Sequence, residues 1–258
     1  MGRKRVAARC LGKLIDDDRF QVVGVITDSH LERSVTADVA AEAGLSLYDF
    51  DGARRAVDEG RLVYDLGLSM LYWRRLKDCF LAHPKYGTIN FHPAPLPDYK
   101  GVGGYNLAIL NGLSEWAVSA HFIDEGIDTG PLVRKNSFPI DTELETALSL
   151  EQKSQEQLEV LFGQVIDMVA ASPTNLPAAE TSGGMHLSRA ELERMKLVDP
   201  DVDDVDRKVR AFWFPPYDGA YVEIGGQRFT LVNRAILESL ADPDASSLFS
   251  SPSKTASC

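Results

Sequence analysis

Two polar side chains suited to acid–base chemistry follow a short apolar run at residues 87–91. Asn90 and His92 are two positions apart, so on a β-strand their side chains point to the same face. In open α/β sheets, ligands bind at the carboxyl ends of the strands. An amide donor beside a titratable imidazole at such an end predicts a site that binds or transforms a ligand.

A second polar stretch, DEGIDTG at residues 124–130, holds three acidic residues and two glycines. This composition predicts a turn that brings a carboxylate to the same sheet edge, where it can orient His92 or balance its charge. The spacing leaves open whether Asp124 or Asp128 has that role. It also leaves open whether His121, on the strand before the turn, lines the site or is a structural histidine.

The loop at residues 92–104 connects the imidazole to the following helix. Three prolines stiffen its first half and three glycines make its second half pliable, so it can wrap a ligand. Gly103 and Gly104 open a helix over residues 105–110, whose free N–H groups suit an anion. The spacing is neither a GxGxxG fingerprint nor a P-loop.

Short apolar runs alternate with helical patterns over the first 140 residues. Strands are predicted at residues 22–26, 62–68, 87–91, 117–123 and 130–138, and helices at residues 36–43, 74–81 and 105–110. This alternation predicts an α/β fold with a mostly parallel sheet that is covered on both faces.

A long helix and a small module follow. A Thr142-x-x-Glu145 capping box begins the helix, and an apolar stripe from Leu144 to Val169 continues it. Prolines at residues 172–180 suggest the boundary of a catalytic domain, residues 1–171. A capping box at Ser188-x-x-Glu191, a helix over residues 204–212 and a hairpin over residues 220–232 predict a module at residues 181–240. Residues 241–258, rich in Ser, Asp and Pro, are expected to be a disordered tail.

Composition excludes several classes of protein. The 258 residues are 44% hydrophobic and 25% charged, which is typical of a globular protein. The net charge of −11 argues against broad nucleic-acid binding. No apolar run reaches the length of a membrane span. The spacing of Cys10, Cys79 and Cys258 matches neither a metal site nor a disulfide framework. This favours a protein of the reducing cytoplasm that binds no metal.

Three motifs occur in order: Asn-x-His at residues 90–92, Leu-Pro-x-x-x-Gly at residues 96–101 and Asp-x-Gly at residues 128–130. This set resembles the N10-formyltetrahydrofolate-dependent formyltransferases over about residues 2–232. The resemblance implies a Rossmann-like domain and a catalytic set of Asn90, His92 and Asp128. The carboxylate is then expected to raise the pKa of His92 above its ordinary value of ~6.5.

The same resemblance implies N10-formyltetrahydrofolate as the co-substrate and no metal. It places the pterin near a set of strand-end and loop residues, namely Ser69, Met70, Leu71, Phe122 and Asp124. Candidates for the other substrate are polar or aromatic, since aromatic rings can stack on a base or sugar. They are Tyr99, Lys100, Tyr105, Asn106, Trp213 and Tyr217.

The segments HPAPLPDYKG at residues 92–101 and RAFWFPPYDGA at residues 210–220 resemble the sugar N-formyltransferases. These enzymes formylate the amine of a nucleotide-linked amino-deoxyhexose, so we expect a nucleotide-sugar substrate, namely dTDP-4-amino-4,6-dideoxyglucose, and a homodimer. The alternatives are a methionyl-tRNA formyltransferase, which would need a larger and more basic C-terminal domain, and a non-catalytic folate-binding module.

The beginning of the chain departs from the family pattern. Family members start with a strand that leads into a glycine turn, whereas residues 2–5 (GRKR) resemble that turn with no strand before it. In a doubly wound sheet the first strand is central, and its loss would leave backbone groups of its neighbours unpaired. We therefore expect the sequence to lack the first strand of the sheet.

Overall fold

The computed structural model describes residues 1–27 and 34–240. The elements in chain order are α1 (Arg5–Ile15), β1 (Val25–Ile26), α2 (Val35–Glu42), β2 (Leu47–Tyr48), α3 (Phe50–Asp58), β3 (Gly67–Met70), α4 (Cys79–Ala82), β4 (Thr88–His92), β5 (Tyr99–Gly101), α5 (Gly104–Leu110), β6 (Glu115–Phe122), β7 (Leu132–Pro139), α6 (Ala147–Ala171), β8 (Met185–Leu187), α7 (Arg189–Arg194), α8 (Val205–Phe212), β9 (Tyr221–Ile224), β10 (Gln227–Thr230) and α9 (Arg234–Leu240).

The main sheet has four strands in the order β3-β4-β6-β7. β3 and β4 are parallel, whereas β6 is antiparallel to both β4 and β7. The predicted α/β class is confirmed, and the sheet is mixed. The chain enters β6 at the end of the sheet where β4 finishes, because the intervening loop and the seven-residue α5 stay at that end.

The alternating side chains of β4 separate the core from the site. Ile89 and Phe91 are fully buried, and the Phe91 ring lies 5.2 Å from that of Phe162 on α6. Asn90 and His92 fall at the alternate positions, which point to the other face. Packing of α6 against the sheet therefore sets which way the two polar side chains point.

Met1 and Gly2 lie between β1 and β3. The Gly2 N–H donates to the Ile26 carbonyl (3.1 Å), and the Met70 N–H donates to the Met1 carbonyl (2.8 Å). A cavity of about 470 Å³ opens beside this bridge, between the facing edges of β1 and β3. This is the position where we expect the first strand of the sheet to be missing, and that expectation stays a prediction.

The predicted start of α6 is wrong. Thr146, and not Thr142, caps the helix, with its hydroxyl accepting from the Ser149 N–H at 3.1 Å. The Thr142 carbonyl instead accepts from the buried Arg210 guanidinium of α8, which holds residue 142 outside the helix. Leu144, assigned to the apolar stripe, is 78% exposed.

Two other elements predicted from the sequence are shorter in the structure. The strand at residues 22–26 shortens to β1, and the helix at residues 74–81 shortens to α4, because Asp78 has a left-handed φ of 50° that interrupts a helix. The capping box at Ser188 and Glu191 is confirmed, as is the hairpin of β9 and β10.

The elements after α6 pack onto the first part of the chain. Val209, Ala211 and Phe212 of α8 belong to the same hydrophobic cluster as Phe91 and Phe162. The parts of the chain before and after the proposed domain boundary therefore share one continuous core. The expected tail, residues 241–258, lies outside the described residues. Across the described ranges, no helix is long and apolar enough to cross a membrane.

A matched pair of leucines tests this core. Leu158 on α6 is fully buried and Leu144 is largely exposed. We expect Leu158→Ala to lower the free energy of unfolding by about 2–5 kcal/mol, because it removes buried methyl groups and leaves a cavity. We expect Leu144→Ala to change it by less than about 0.5 kcal/mol. Urea denaturation followed by circular dichroism checks both values, and equal losses would contradict this packing.

Candidate active site

Asp128 is brought to His92 by a closed turn. Asp124 builds that turn, because its Oδ1 accepts from the Gly126 N–H (2.9 Å) and from the Thr129 hydroxyl (2.6 Å). Asp128 has a left-handed φ of 53°, and its Oδ2 lies 3.4 Å from His92 Nδ1. Of the two carboxylates that the spacing left open, Asp128 is the one that contacts the imidazole.

Close backbone contact explains the glycine that ends the turn. A Cβ at Gly130 would lie 1.9 Å from the Phe122 carbonyl oxygen, where no side chain fits. Residue 130 must therefore be glycine for the chain to return against β6, and this return aims Asp128 at the site.

His121 is a further member of the cluster. It is the cross-strand partner of Asn90, and its Nε2 lies 3.2 Å from Asn90 Nδ2 and 3.5 Å from Asp128 Oδ1. Its Nδ1 lies 2.8 Å from the Phe122 carbonyl, which only accepts, so Nδ1 carries the proton. In the neutral ring Nε2 then accepts from the Asn90 amide, which orients that amide.

The register between β6 and β7 shifts between Ala120 and His121. Such irregularities re-aim the side chains next to them and are frequent beside active sites. The shift lies at the strand position whose side chain faces Asn90 and Asp128.

The loop after β4 contacts both His92 and Asp128 through its backbone. His92 Nε2 lies 2.9 Å from the Tyr99 carbonyl, so Nε2 carries a proton and donates it. The Gly101 N–H donates to Asp128 Oδ2 at 2.9 Å. His92 Nδ1, which faces Asp128, is therefore the nitrogen that can gain or lose a proton.

Burial sets the pKa of His92. The residue is only 6% exposed, and desolvation lowers its pKa from 6.5, although Asp128 and the Tyr99 carbonyl raise it. The carboxylate raises this pKa, as expected, but burial outweighs that attraction, so the pKa lies below its ordinary value. His92 is thus neutral near pH 7.

Asp128 stays ionised. Burial raises its pKa, but the neighbouring His121 and His92 rings and the Gly101 N–H together lower it from 3.8 to about 2. A neutral imidazole beside a carboxylate can accept a proton at Nδ1 and hold it as a stabilised cation. The second N–H of the oriented Asn90 amide can donate to a developing oxyanion.

The residues predicted on the folate side lie around this cluster. Ser69 is paired with Asn90 and Met70 with Phe91 on the neighbouring strand, and Leu71 follows with a left-handed φ of 50°. Phe122 ends the strand that carries His121. Asp124 uses its carboxylate within the turn.

The residues predicted on the second-substrate side are more dispersed. The Tyr99 ring packs 5.1 Å from Trp116, and Lys100 Nζ donates to the Gly183 carbonyl at 2.6 Å. Tyr105 is partly buried, and burial followed by the nearby Glu151 raises the pKa of its hydroxyl. The Asn106 amide donates to the Ala211 carbonyl at 2.7 Å, which joins α5 to α8.

Trp213 and Tyr217 follow α8. Trp213 is its C-terminal cap, and its carbonyl accepts from the Leu148 N–H at 3.1 Å. Tyr217 is 68% exposed, with its ring 6.0 Å from that of Phe214. Of the six predicted residues, Tyr105 and Asn106 therefore have their polar groups within the fold, whereas Tyr217 is open to a ligand.

Comparison with known proteins places the chain in a family. A family model described as formyl transferase matches residues 56–166. GDP-perosamine N-formyltransferase of Brucella melitensis is 30% identical over 178 residues, which are 68% of this chain and 67% of that protein. The chain belongs to the formyltransferase family. It is therefore an enzyme that transfers a formyl group.

Solved structures share the fold of this formyltransferase. A 4-N formyltransferase from Francisella tularensis superposes with a TM-score of 0.72 at 20% identity, over 89% of this chain and 93% of that one. An N-formyltransferase from Helicobacter canadensis, solved with folinic acid and dTDP-3-aminofucose, has a TM-score of 0.67 at 21% identity, over 88% and 83% of the two chains. The expected Rossmann-like α/β fold is confirmed.

Sequence reasoning left the role of His121 open and did not find the backbone contacts of Tyr99 and Gly101. A prediction of antiparallel pairing between β6 and β4 would have shown that His121 lies opposite Asn90. The sequence pattern predicted a mostly parallel sheet, so this register was not found. In the part of the chain that the structure describes, no three His, Cys, Asp or Glu residues are grouped to hold a metal ion.

The opposing effects on His92 give a titration prediction. Asp128→Asn removes the charge that raises the pKa of His92 and leaves burial, which lowers it. We expect the His92 titration midpoint to fall in this variant, as measured by NMR with labelled histidine and with His92→Gln for assignment. Glu125→Gln, an exposed position in the same turn, is the control that leaves the midpoint unchanged. A midpoint that rises in Asp128→Asn would contradict the arrangement.

Proposed function

We propose that this formyltransferase moves the formyl group of N10-formyltetrahydrofolate to the amine of a nucleotide-linked amino-dideoxyhexose. The observation that carries the proposal is the convergence of Asn90, His92 and Asp128 at the carboxyl end of β4, with contacts of 3.2–3.5 Å through His121 and Asp128. An amide donor, a neutral base and a fixed carboxylate are the groups that acyl transfer to an amine needs.

The first step is attack of the neutral amine on the formyl carbon. A carbon–nitrogen bond forms, and the formyl oxygen becomes an oxyanion in a tetrahedral intermediate. The free N–H of Asn90 Nδ2 donates to that oxygen, since its other N–H is directed to His121. One such donor contributes about 3 kcal/mol to stabilising the transition state.

The second step breaks the bond between the formyl carbon and N10 of the folate. The attacking nitrogen must lose a proton and N10 must gain one, so the products are an N-formyl sugar and tetrahydrofolate. His92 Nδ1 accepts the first proton, directly or through water, and the ionised Asp128 stabilises the resulting imidazolium. The same nitrogen then returns the proton to N10.

A nucleotide sugar suits the role of formyl acceptor better than a tRNA does. The net charge of −11 disfavours a long phosphate backbone, whereas one small anion can be held locally. The Brucella melitensis relative is named for GDP-perosamine, and the Helicobacter structure holds dTDP-3-aminofucose. We propose dTDP-4-amino-4,6-dideoxyglucose as the substrate and GDP-perosamine as the second candidate, with the enzyme acting as a cytoplasmic homodimer.

The roles of the two strand residues can be measured directly. Asn90→Ala removes the oxyanion donor and His92→Ala removes the base, so each should lower kcat at least about tenfold. Asn175→Ala and His83→Ala change exposed residues of the same types and should keep wild-type turnover. Release of tetrahydrofolate, followed by absorbance, gives kcat. Near wild-type turnover in either site variant would contradict its role.

A substrate panel tests the proposed acceptor class. We expect dTDP- or GDP-linked amino-dideoxyhexoses to gain the mass of one formyl group with N10-formyltetrahydrofolate, and methionyl-tRNA to gain none. Mass spectrometry of the products makes the comparison, with the non-amino parent sugar nucleotides as controls. Formylation of methionyl-tRNA alone would overturn the assignment.

A further inference from the structure

Residues 179–187, here called the strap, run across both loops that form the site. At one end the strap holds the Asp128 turn. Ala179 and Leu132 exchange two backbone hydrogen bonds, at 2.7 and 3.0 Å. The Thr181 hydroxyl donates to the Thr129 carbonyl at 2.6 Å and lies 3.0 Å from the Gly130 carbonyl. These contacts fix the residues on the C-terminal side of Asp128.

At its other end the strap holds the loop that follows His92. β8 pairs in parallel with β5, with Met185, His186 and Leu187 opposite residues 99–101. The Met185 N–H donates to the Asp98 carbonyl at 2.8 Å. Lys100 Nζ donates to the Gly183 carbonyl at 2.6 Å. Within the described residues, β8 is the only strand paired with β5.

β5 is the element that contacts the reactive groups through its backbone. The Tyr99 carbonyl accepts from His92 Nε2 at 2.9 Å, and the Gly101 N–H donates to Asp128 Oδ2 at 2.9 Å. A shift of β5 would therefore alter the orientation of His92 and of Asp128 together. The strap contacts β5 and the Asp128 turn at once, so it determines how these two loops lie relative to each other.

We propose that the strap aligns His92 with Asp128 for formyl transfer, and that Thr181 and Gly184 are its positioning residues. The proposal rests on the proposed function, because it takes His92 and Asp128 as the reacting pair. Neither positioning residue is required to touch a substrate. Both act through the backbone of the loops that they hold.

Gly184 lies directly against the loop. It has a φ of 83°, and a Cβ there would lie 1.7 Å from the Pro97 carbonyl oxygen. A methyl group must push residues 97–98 away, and β5 follows them directly. Gly183 has a similar φ of 76°, but a Cβ there meets nothing within 4 Å. An alanine would be strained by the positive φ at either position, but only at Gly184 would its Cβ collide with the loop.

This difference gives a matched experiment with N10-formyltetrahydrofolate and dTDP-4-amino-4,6-dideoxyglucose. We expect Gly184→Ala to lower kcat about tenfold to a hundredfold, because a misplacement of about 1 Å costs that much, with little change in KM for folate. Gly183→Ala should stay within about twofold of wild type. Equal kcat values in the two variants would overturn the proposal.

The pH dependence separates positioning from loss of stability. The Tyr99 carbonyl raises the pKa of His92, so displacing β5 lowers that pKa. The acidic limb of the kcat/KM profile should then move to lower pH in Gly184→Ala and remain in place in Gly183→Ala. A lower melting temperature alone cannot produce this shift, so an unshifted limb in Gly184→Ala would contradict the proposal.

Thr181 gives an independent test if Gly184→Ala does not fold. Thr181→Val removes the hydroxyl and keeps the shape, and we expect kcat to fall at least about fivefold, whereas Thr181→Ser should restore most of it. Equal activity of the Val and Ser variants would overturn its role.

The failure of the proposed function would be recognised separately. If wild-type protein formylates none of the sugar nucleotides, the His92 titration by NMR still tests the strap without turnover. A lower His92 midpoint in Gly184→Ala than in Gly183→Ala would support it, and identical midpoints would refute it.

Discussion

The geometry of the site depends on the carboxylate of Asp128, which is largely withdrawn from water. The Asp128 side chain is only 14% exposed, yet it is ionised, and a buried charge is costly unless it is paired and hydrogen-bonded. The groups around it come from three elements: His92 on β4, His121 on β6 and the Gly101 N–H on β5. Against the effect of burial, these groups together lower its pKa to about 2, so the charge couples the sheet to both loops.

The register of the sheet brings the polar side chains of the site together. Antiparallel pairing places His121 opposite Asn90 and Ser119 opposite His92, while parallel pairing places Ser69 beside Asn90 on the other edge. Polar side chains thus accumulate on one face at the carboxyl end of β4. The opposite face is closed by Phe91 against α6. The same alternation that builds the core therefore creates the site.

The sequence was most informative where local pattern determines structure. Asn90 and His92 follow from strand alternation, and the Ser188 cap and the β9–β10 hairpin follow from short-range preferences. Thr142 was misassigned as a cap because Thr146 offers the same chemistry four residues later. The contact between the Thr142 carbonyl and Arg210, 68 residues away, decides between them.

Features that depend on distant contacts could not be read in this way. The choice of Asp128 over Asp124 required the internal hydrogen bonds of the turn or the family resemblance, and the role of His121 required the register of β6. Tyr105 and Asn106 have plausible side chains for a ligand, but their polar groups are directed into the fold, because α5 packs on α6 and α8. The pKa of His92 depends on burial, which no spacing of residues reveals.

The central claim is that Asn90, His92 and Asp128 surround one formyl carbon. A crystal structure of the protein with folinic acid, a stable folate that carries its formyl group on N5, and dTDP tests it most directly. The account predicts N10 of that folate beside the carboxyl end of β4, where a formyl group on N10 would face the Asn90 amide and the His92–Asp128 pair. A folate bound with N10 away from these three side chains would contradict it.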